Sequence, residues 1–141
     1  MNVFDGTTVR PSINLGHDPA VKFDWSDADG YRPFYTKLLQ LFRANPALHH
    51  AGMADFRKVD TTGGAGVYSF VRRAGTSAVL VILNLSATDL PSVALTPSAN
   101  AGTIAGSYID LFSGKPEPVV AGQSIHLEPW AYRVFVQGSL P

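Results

Sequence analysis

The stretch Val67-Tyr68-Ser69-Phe70-Val71-Arg72-Arg73-Ala74-Gly75-Thr76-Ser77-Ala78-Val79-Leu80-Val81-Ile82-Leu83-Asn84-Leu85 decides the fold. Its first arm alternates, with Val67, Ser69 and Val71 on one side and Tyr68, Phe70 and Arg72 on the other. A period of two is the mark of a strand with unlike faces. Its second arm, from Ala78 to Leu85, is apolar nearly throughout. That predicts a central strand covered on both faces. Ala74-Gly75-Thr76-Ser77 between the arms reads as a hairpin turn.

Working outward, further short strands are expected at 55–59, 90–95, 106–112, 118–120, 124–127 and 131–136, with turns at Ser113-Gly114-Lys115-Pro116 and Val120-Ala121-Gly122-Gln123. About eight short strands at this spacing predict a mainly β chain, an antiparallel Greek-key β-sandwich. In the last strand, alternation places Trp130, Tyr132, Val134 and Val136 on one face.

Upstream of the strands the period changes. Tyr31, Phe34 and Tyr35, Leu38, and Leu41 and Phe42 recur at steps of three and four, the apolar stripe of one helix over 31–44. Pro33 fits only the first turn of that helix. Asp27 and Asp29 therefore stand at its N-terminus, where carboxylates cap free N–H groups. Asn45-Pro46 ends it, because a residue before proline avoids the α region. Before the helix, Gly6, Pro11, Gly16 and Pro19 punctuate a segment without period. The expected organisation is an irregular lead-in at 1–28, a helix at 29–48 and an all-β domain at 49–141. So long an irregular lead-in suggests a piece of a larger protein.

Composition bounds the function. Of 141 residues, 45% are hydrophobic and 16% charged, and formal net charge is zero. The first two values are globular, and the third provides no basic stripe for a phosphate backbone, so no nucleic-acid partner is expected. No apolar run reaches membrane-spanning length. The N-terminus lacks the pattern of a signal peptide, although a secreted or periplasmic parent remains compatible. The absence of cysteine removes disulfides and thiolate chemistry.

Each candidate for chemistry has a plainer alternative. In Trp25-Ser26-Asp27-Ala28-Asp29-Gly30, two acids and a glycine fit positions three, five and six of a calcium loop. Position one would be Trp25 and position twelve Thr36, so capping is favoured and no metal is expected. His17-Asp18 falls in the lead-in with no nucleophile in view, His49-His50 follows the helix, and His126 alternates away from Ile125 and Leu127 toward solvent. Asp55, Asp60, Asp89, Asp110, Glu117 and Glu128 lie at turns or strand ends, and no glycosidase pair stands out. No cofactor motif is present, and no cofactor is expected. Trp25, Trp130 and Tyr132 are candidates for stacking on sugar faces, against the alternative of core packing.

In order, five fragments resemble the C-terminal region of the α-amylase family of glycoside hydrolases. Trp25 followed by residues 34–48, ending in Asn45-Pro46-Ala47-Leu48, resembles that family's last barrel helix. The hairpin arms Val67–Arg73 and Val79–Ser86 resemble the start of its C-terminal β-domain. Asp110-Leu111-Phe112-Ser113-Gly114 resembles an aspartate-leucine-then-glycine turn, and Leu127–Phe135 its closing strand. The resemblance covers about residues 25–136. It implies a parent whose (β/α)₈ barrel lies upstream and holds the catalytic carboxylates. This chain would then lack them and be inactive alone. Gly16-His17-Asp18 looks like the family's late asparagine-histidine-aspartate motif, but six residues to Trp25 leave no room for the helix and strand that should follow it. Residues 1–24 also lack the glycine-glutamine-glutamate element seen after that family's last strand.

The expected function is a non-catalytic domain of an enzyme acting on α-glucans such as starch and maltooligosaccharides, stabilising its barrel. The alternatives are a carbohydrate-binding module with an aromatic platform and a structural or interaction domain. In that last case the stripe Tyr35, Leu38, Phe42, deprived of its barrel, would fold back on the sandwich or be buried in a dimer.

Overall fold

The computed structural model describes residue 27 and residues 30–49, 55–96 and 104–141. Trp25, His17, Asp18, Asp29 and His50 lie outside the described residues, as does the expected lead-in at 1–28 apart from Asp27. The chain divides into a unit Met1–Tyr35 and a unit Thr36–Pro141. The division falls inside α1 (Arg32–Ala44).

In the first unit, both carboxylate oxygens of Asp27 accept the Arg32 backbone N–H, at 2.9 and 3.0 Å. The Gly30 N–H closes a turn onto the Asp27 carbonyl at 2.9 Å. Asp27 therefore holds the first N–H of the helix, an orphan donor that otherwise has no partner.

The second unit holds the remainder of α1, the four-residue α2 (Pro46–His49), and nine strands among the described residues. These are β1 (Asp55–Lys58), β2 (Asp60–Thr61), β3 (Val67–Ala74), β4 (Ser77–Asn84), β5 (Leu90–Thr96), β6 (Gly106–Asp110), β7 (Pro116–Val119), β8 (Ser124–Leu127) and β9 (Tyr132–Gln137). All pairings are antiparallel. Six strands form one sheet in the order β1-β3-β4-β9-β6-β7, and three form another in the order β2-β5-β8. The result is the expected β-sandwich.

The deciding hairpin forms as its sequence dictates. β3 and β4 pair from Val67↔Asn84 to Ala74↔Ser77, leaving Gly75-Thr76 as a two-residue loop. Gly75 takes a φ of 58°, the sign such tight loops require and one that costs glycine nothing. The expected strand at 55–59 divides in two. The Val59 N–H donates to the Ser69 carbonyl, the Ser69 hydroxyl donates to the Val59 carbonyl at 2.7 Å, and the chain then crosses to the smaller sheet as β2. Ser69 is thus a buried polar group with its partner.

β4 is buried on both faces. Ala78, Leu80 and Ile82 join Val71, Val93, Leu95, Leu127 and Phe135 in the core between the sheets. Val79 on the other face joins Leu41, Ala47, Leu111, Val134 and Val136 in a second cluster, against which Leu38, Leu48 and Val81 pack. A strand apolar without a break from Ala78 to Leu83 is what such two-sided burial needs.

Candidate functional site

Three polar side chains hold the joints of the second unit, and each belongs to a fragment that carried the resemblance. Asn45 is fully buried between α1 and α2. Its Oδ1 accepts the Ala47 N–H at 3.0 Å, capping α2 with Pro46 in the first helical position. Its Nδ2 donates to the carbonyls of Gln137 and Ser139, both at 3.1 Å, and so ties the helical corner to the end of β9. Asn84 is also buried. Its Nδ2 donates to the carbonyls of Thr88 and Glu128, both at 2.8 Å, and its Oδ1 accepts from Ser86. Asp110 Oδ1 accepts the N–H groups of Phe112 and Ser113 at 3.1 and 2.7 Å, folding the turn that carries Gly114.

The Asn84 network fixes the turn Glu128-Pro129-Trp130-Ala131. The Ala131 N–H donates to the Glu128 carbonyl and the Trp130 N–H to the Ser86 carbonyl. Trp130 sits at a φ of 60°, where a bulky residue is strained. It is 65% exposed. Sequence alternation had placed Trp130 on a strand face with Tyr132, but β9 begins only at Tyr132 and Trp130 belongs to the turn. Tyr132 is 43% exposed and meets Phe112 edge to face, at 5.0 Å and 67°. These two rings are therefore not coplanar.

A cleft opens beside this turn. One part, of about 280 Å³, is lined by Asp110, Lys115, Glu117, Gln123, His126 and Arg133 among others. Its neighbour, of about 360 Å³, shares Asp110, His126 and Arg133 and adds Phe112, Glu128 and Tyr132. The strands β6, β7 and β9 provide one wall, and β8, the edge of the smaller sheet, the other. Asp89 Oδ1 holds His126 Nε2 at 2.7 Å. Gln123 reaches Glu117 at 3.5 Å. Arg133 and Glu128 have no side-chain hydrogen bond or ion pair among the described residues. With both charge signs, an amide and rings along its walls, the cleft can donate and accept hydrogen bonds without a dominant charge.

The other sequence-selected positions are placed as follows. Leu38 packs inward beside Leu41, while Tyr35 and Phe42 are exposed. Asp55 pairs with Arg57 on the surface at 2.6 Å. Among the described residues no group of three or more histidines, cysteines or acids is arranged to hold a metal. Sequence reasoning passed over Arg133. Its signal was present, since alternation puts Arg133 on the same side as the buried Phe135, where a charge needs a reason.

A scan against models of known protein families matches none of them, and a search of curated proteins returns no match. Among solved structures, the chain is similar to Gan42B, a GH42 β-galactosidase, at 20% identity and a TM-score of 0.36. It is similar to the E323A catalytic mutant of Gan42B from G. stearothermophilus, at 21% identity and the same TM-score. In both cases 77% of this chain is covered but only 12% of the other, so the chain spans about an eighth of the length of the structures it matches. Neither is described as an α-amylase.

Proposed function

We propose that this chain is a non-catalytic β-sandwich domain of an α-amylase-like enzyme acting on α-glucans, and that it stabilises an upstream (β/α)₈ barrel. One observation carries the reading. The fragments that resemble that family, Asn45-Pro46-Ala47-Leu48, Asn84-Leu85-Ser86 and Asp110–Gly114, are the ones that hold the joints of the sandwich. These residues set the shape of the sandwich, while Asp27 caps a helix, Asp110 closes a turn, and Asp55 and Asp89 hold Arg57 and His126. On α1, Leu41 faces the sheet while Leu39 and Phe42 stay exposed, as a helix between two bodies requires.

The test has two arms. The isolated chain should release no reducing ends from maltoheptaose, and turnover abolished by a single carboxylate substitution would overturn the reading. In the chain joined to its upstream barrel, Phe42→Asp should lower the barrel's melting temperature by about 3 °C, an effect of about 1 kcal/mol. The same substitution should leave the melting of the isolated chain unchanged.

A second reading has its own support. Trp130 is held exposed at a strained backbone position on a fixed turn, which suits a carbohydrate-binding module with an aromatic contact.

A further inference from the structure

We infer that the cleft between β8 and the β6–β7–β9 side of the larger sheet binds a short, uncharged oligosaccharide. Arg133 would be its principal hydrogen-bond donor and the Tyr132 and Phe112 rings its aromatic lining, beside the turn that carries Trp130. The inference deepens the carbohydrate-binding reading and is independent of whether a barrel lies upstream.

Three observations converge on it. The first is the shape and lining of the cleft. Its two parts, of about 280 and 360 Å³, share Asp110, His126 and Arg133. The second is the state of those groups. Asp110 is occupied by its own turn and His126 is held by Asp89. The Arg133 guanidinium and the Glu128 carboxylate stand in the same cleft with no side-chain partner among the described residues. A fork of donors near a free acceptor suits vicinal hydroxyls, which both give and accept hydrogen bonds. The third is the backbone at Trp130. Glycine would sit at a φ of 60° without strain, yet a tryptophan stands there on a turn whose flanking residues Glu128 and Ala131 line the cleft. Tyr132 and Phe112 complete an apolar wall on the same side. Rings beside mixed polar groups match a sugar, whose faces are apolar and whose edges are hydroxylated.

An anion is disfavoured as occupant. Lys115 and Arg133 share the cleft with Asp110, Glu117 and Glu128, so its positive charge is offset by carboxylates.

The experiment is a titration of the chain followed by side-chain and amide resonances, with maltoheptaose, a β-1,4-galactotetraose and inorganic phosphate as separate probes. One of the two glycans should shift Arg133, His126 and Tyr132 together at millimolar concentration. Arg133→Met should weaken that binding at least about tenfold, the worth of one charge-assisted hydrogen bond, with the melting temperature unchanged. Binding lost in Trp130→Ala but untouched in Arg133→Met would overturn the cleft while leaving a sugar-binding module standing. Silence toward both glycans would overturn both. Shifts at Arg133 and His126 caused by phosphate alone would identify an anion site and overturn the inference.

Discussion

The two faces of the six-stranded sheet are built from the same strands but closed in different ways. The inner face is a continuous apolar layer, where Val71, Leu80, Ile82 and Phe135 meet Val93, Leu95 and Leu127. The outer face is covered only in part. Val79, Val134 and Val136 lie under Leu41 and Ala47, while Tyr68 and Tyr132 remain exposed on either side of Leu83. The inner face rests chiefly on buried area, which is non-directional and tolerant of small shifts, with the Ser69 and Tyr108 hydroxyls bonded within it. The outer face needs a helix set at one angle, and that angle is fixed by a polar side chain, Asn45. Buried area holds a layer together, whereas directional bonds aim an element at its place.

The largest effect should come from breaking the inner face. Leu80 is fully buried at the centre of that layer. Leu80→Ala should cost about 3 kcal/mol and lower the melting temperature by roughly 10 °C, measured by urea and thermal unfolding. The sandwich should unfold as one unit.

Asn45→Ala tests the outer face. It removes three hydrogen bonds and leaves two carbonyls and one N–H short of a partner. The expected cost is about 2 kcal/mol, read as lost amide protection across α1 and α2 while β3 and β4 keep theirs. Equal loss of protection in both regions would show that the two faces form one cooperative unit, and the comparison would fail.

Tyr108 sharpens the account of the inner face through pH. It is buried there and donates to the Ile104 carbonyl at 3.1 Å. Burial raises its pKa above the ordinary 10.0, and the Arg73 guanidinium nearby pulls partly the other way. The folded state therefore favours the neutral phenol. That contribution is complete below pH 10 and is lost as pH climbs through the raised folded value. Tyr108→Phe should cost about 1 kcal/mol near neutral pH and flatten the fall in stability above pH 10. Unfolding midpoints from pH 8 to 11 check both the size and the sign.

The smallest effect has the opposite sign. Trp130→Gly relieves a left-handed tryptophan, worth about 1–2 kcal/mol, against the added freedom of glycine in the unfolded chain, about 0.5–1 kcal/mol. A net gain of about 0.5 kcal/mol is expected, visible as a melting temperature raised by one or two degrees. A loss instead would mean that Trp130 packs to the benefit of the fold, and its exposed ring would need another explanation.

Much of the architecture was legible in the residues. Local patterns sufficed for the hairpin, the two-sided burial of β4, the helix bounded by Asp27 and Asn45, and the turn at Gly114, because each depends on neighbours a few positions away. The split of the strand at 55–59 was not legible, since Val59 changes sheets through a bond to Ser69, ten residues on. The placement of Trp130 was missed for a similar reason. Alternation continued the strand one step too far, while the Asn84 network bends that step into a turn.

The candidate site shows the same boundary. Exposed aromatics could be selected from the chain, but Arg133, His126 and Glu128 come from separate strands and turns and meet only across the open edge of the sandwich. The sequence by itself determined which stretches would be helix and strand and which faces would be apolar, because periodicity and turn chemistry act over short separations. The tertiary structure alone decided which polar groups share a cleft and which are left without partners, because that depends on strand order, and strand order is set by long-range pairing that no local pattern encodes.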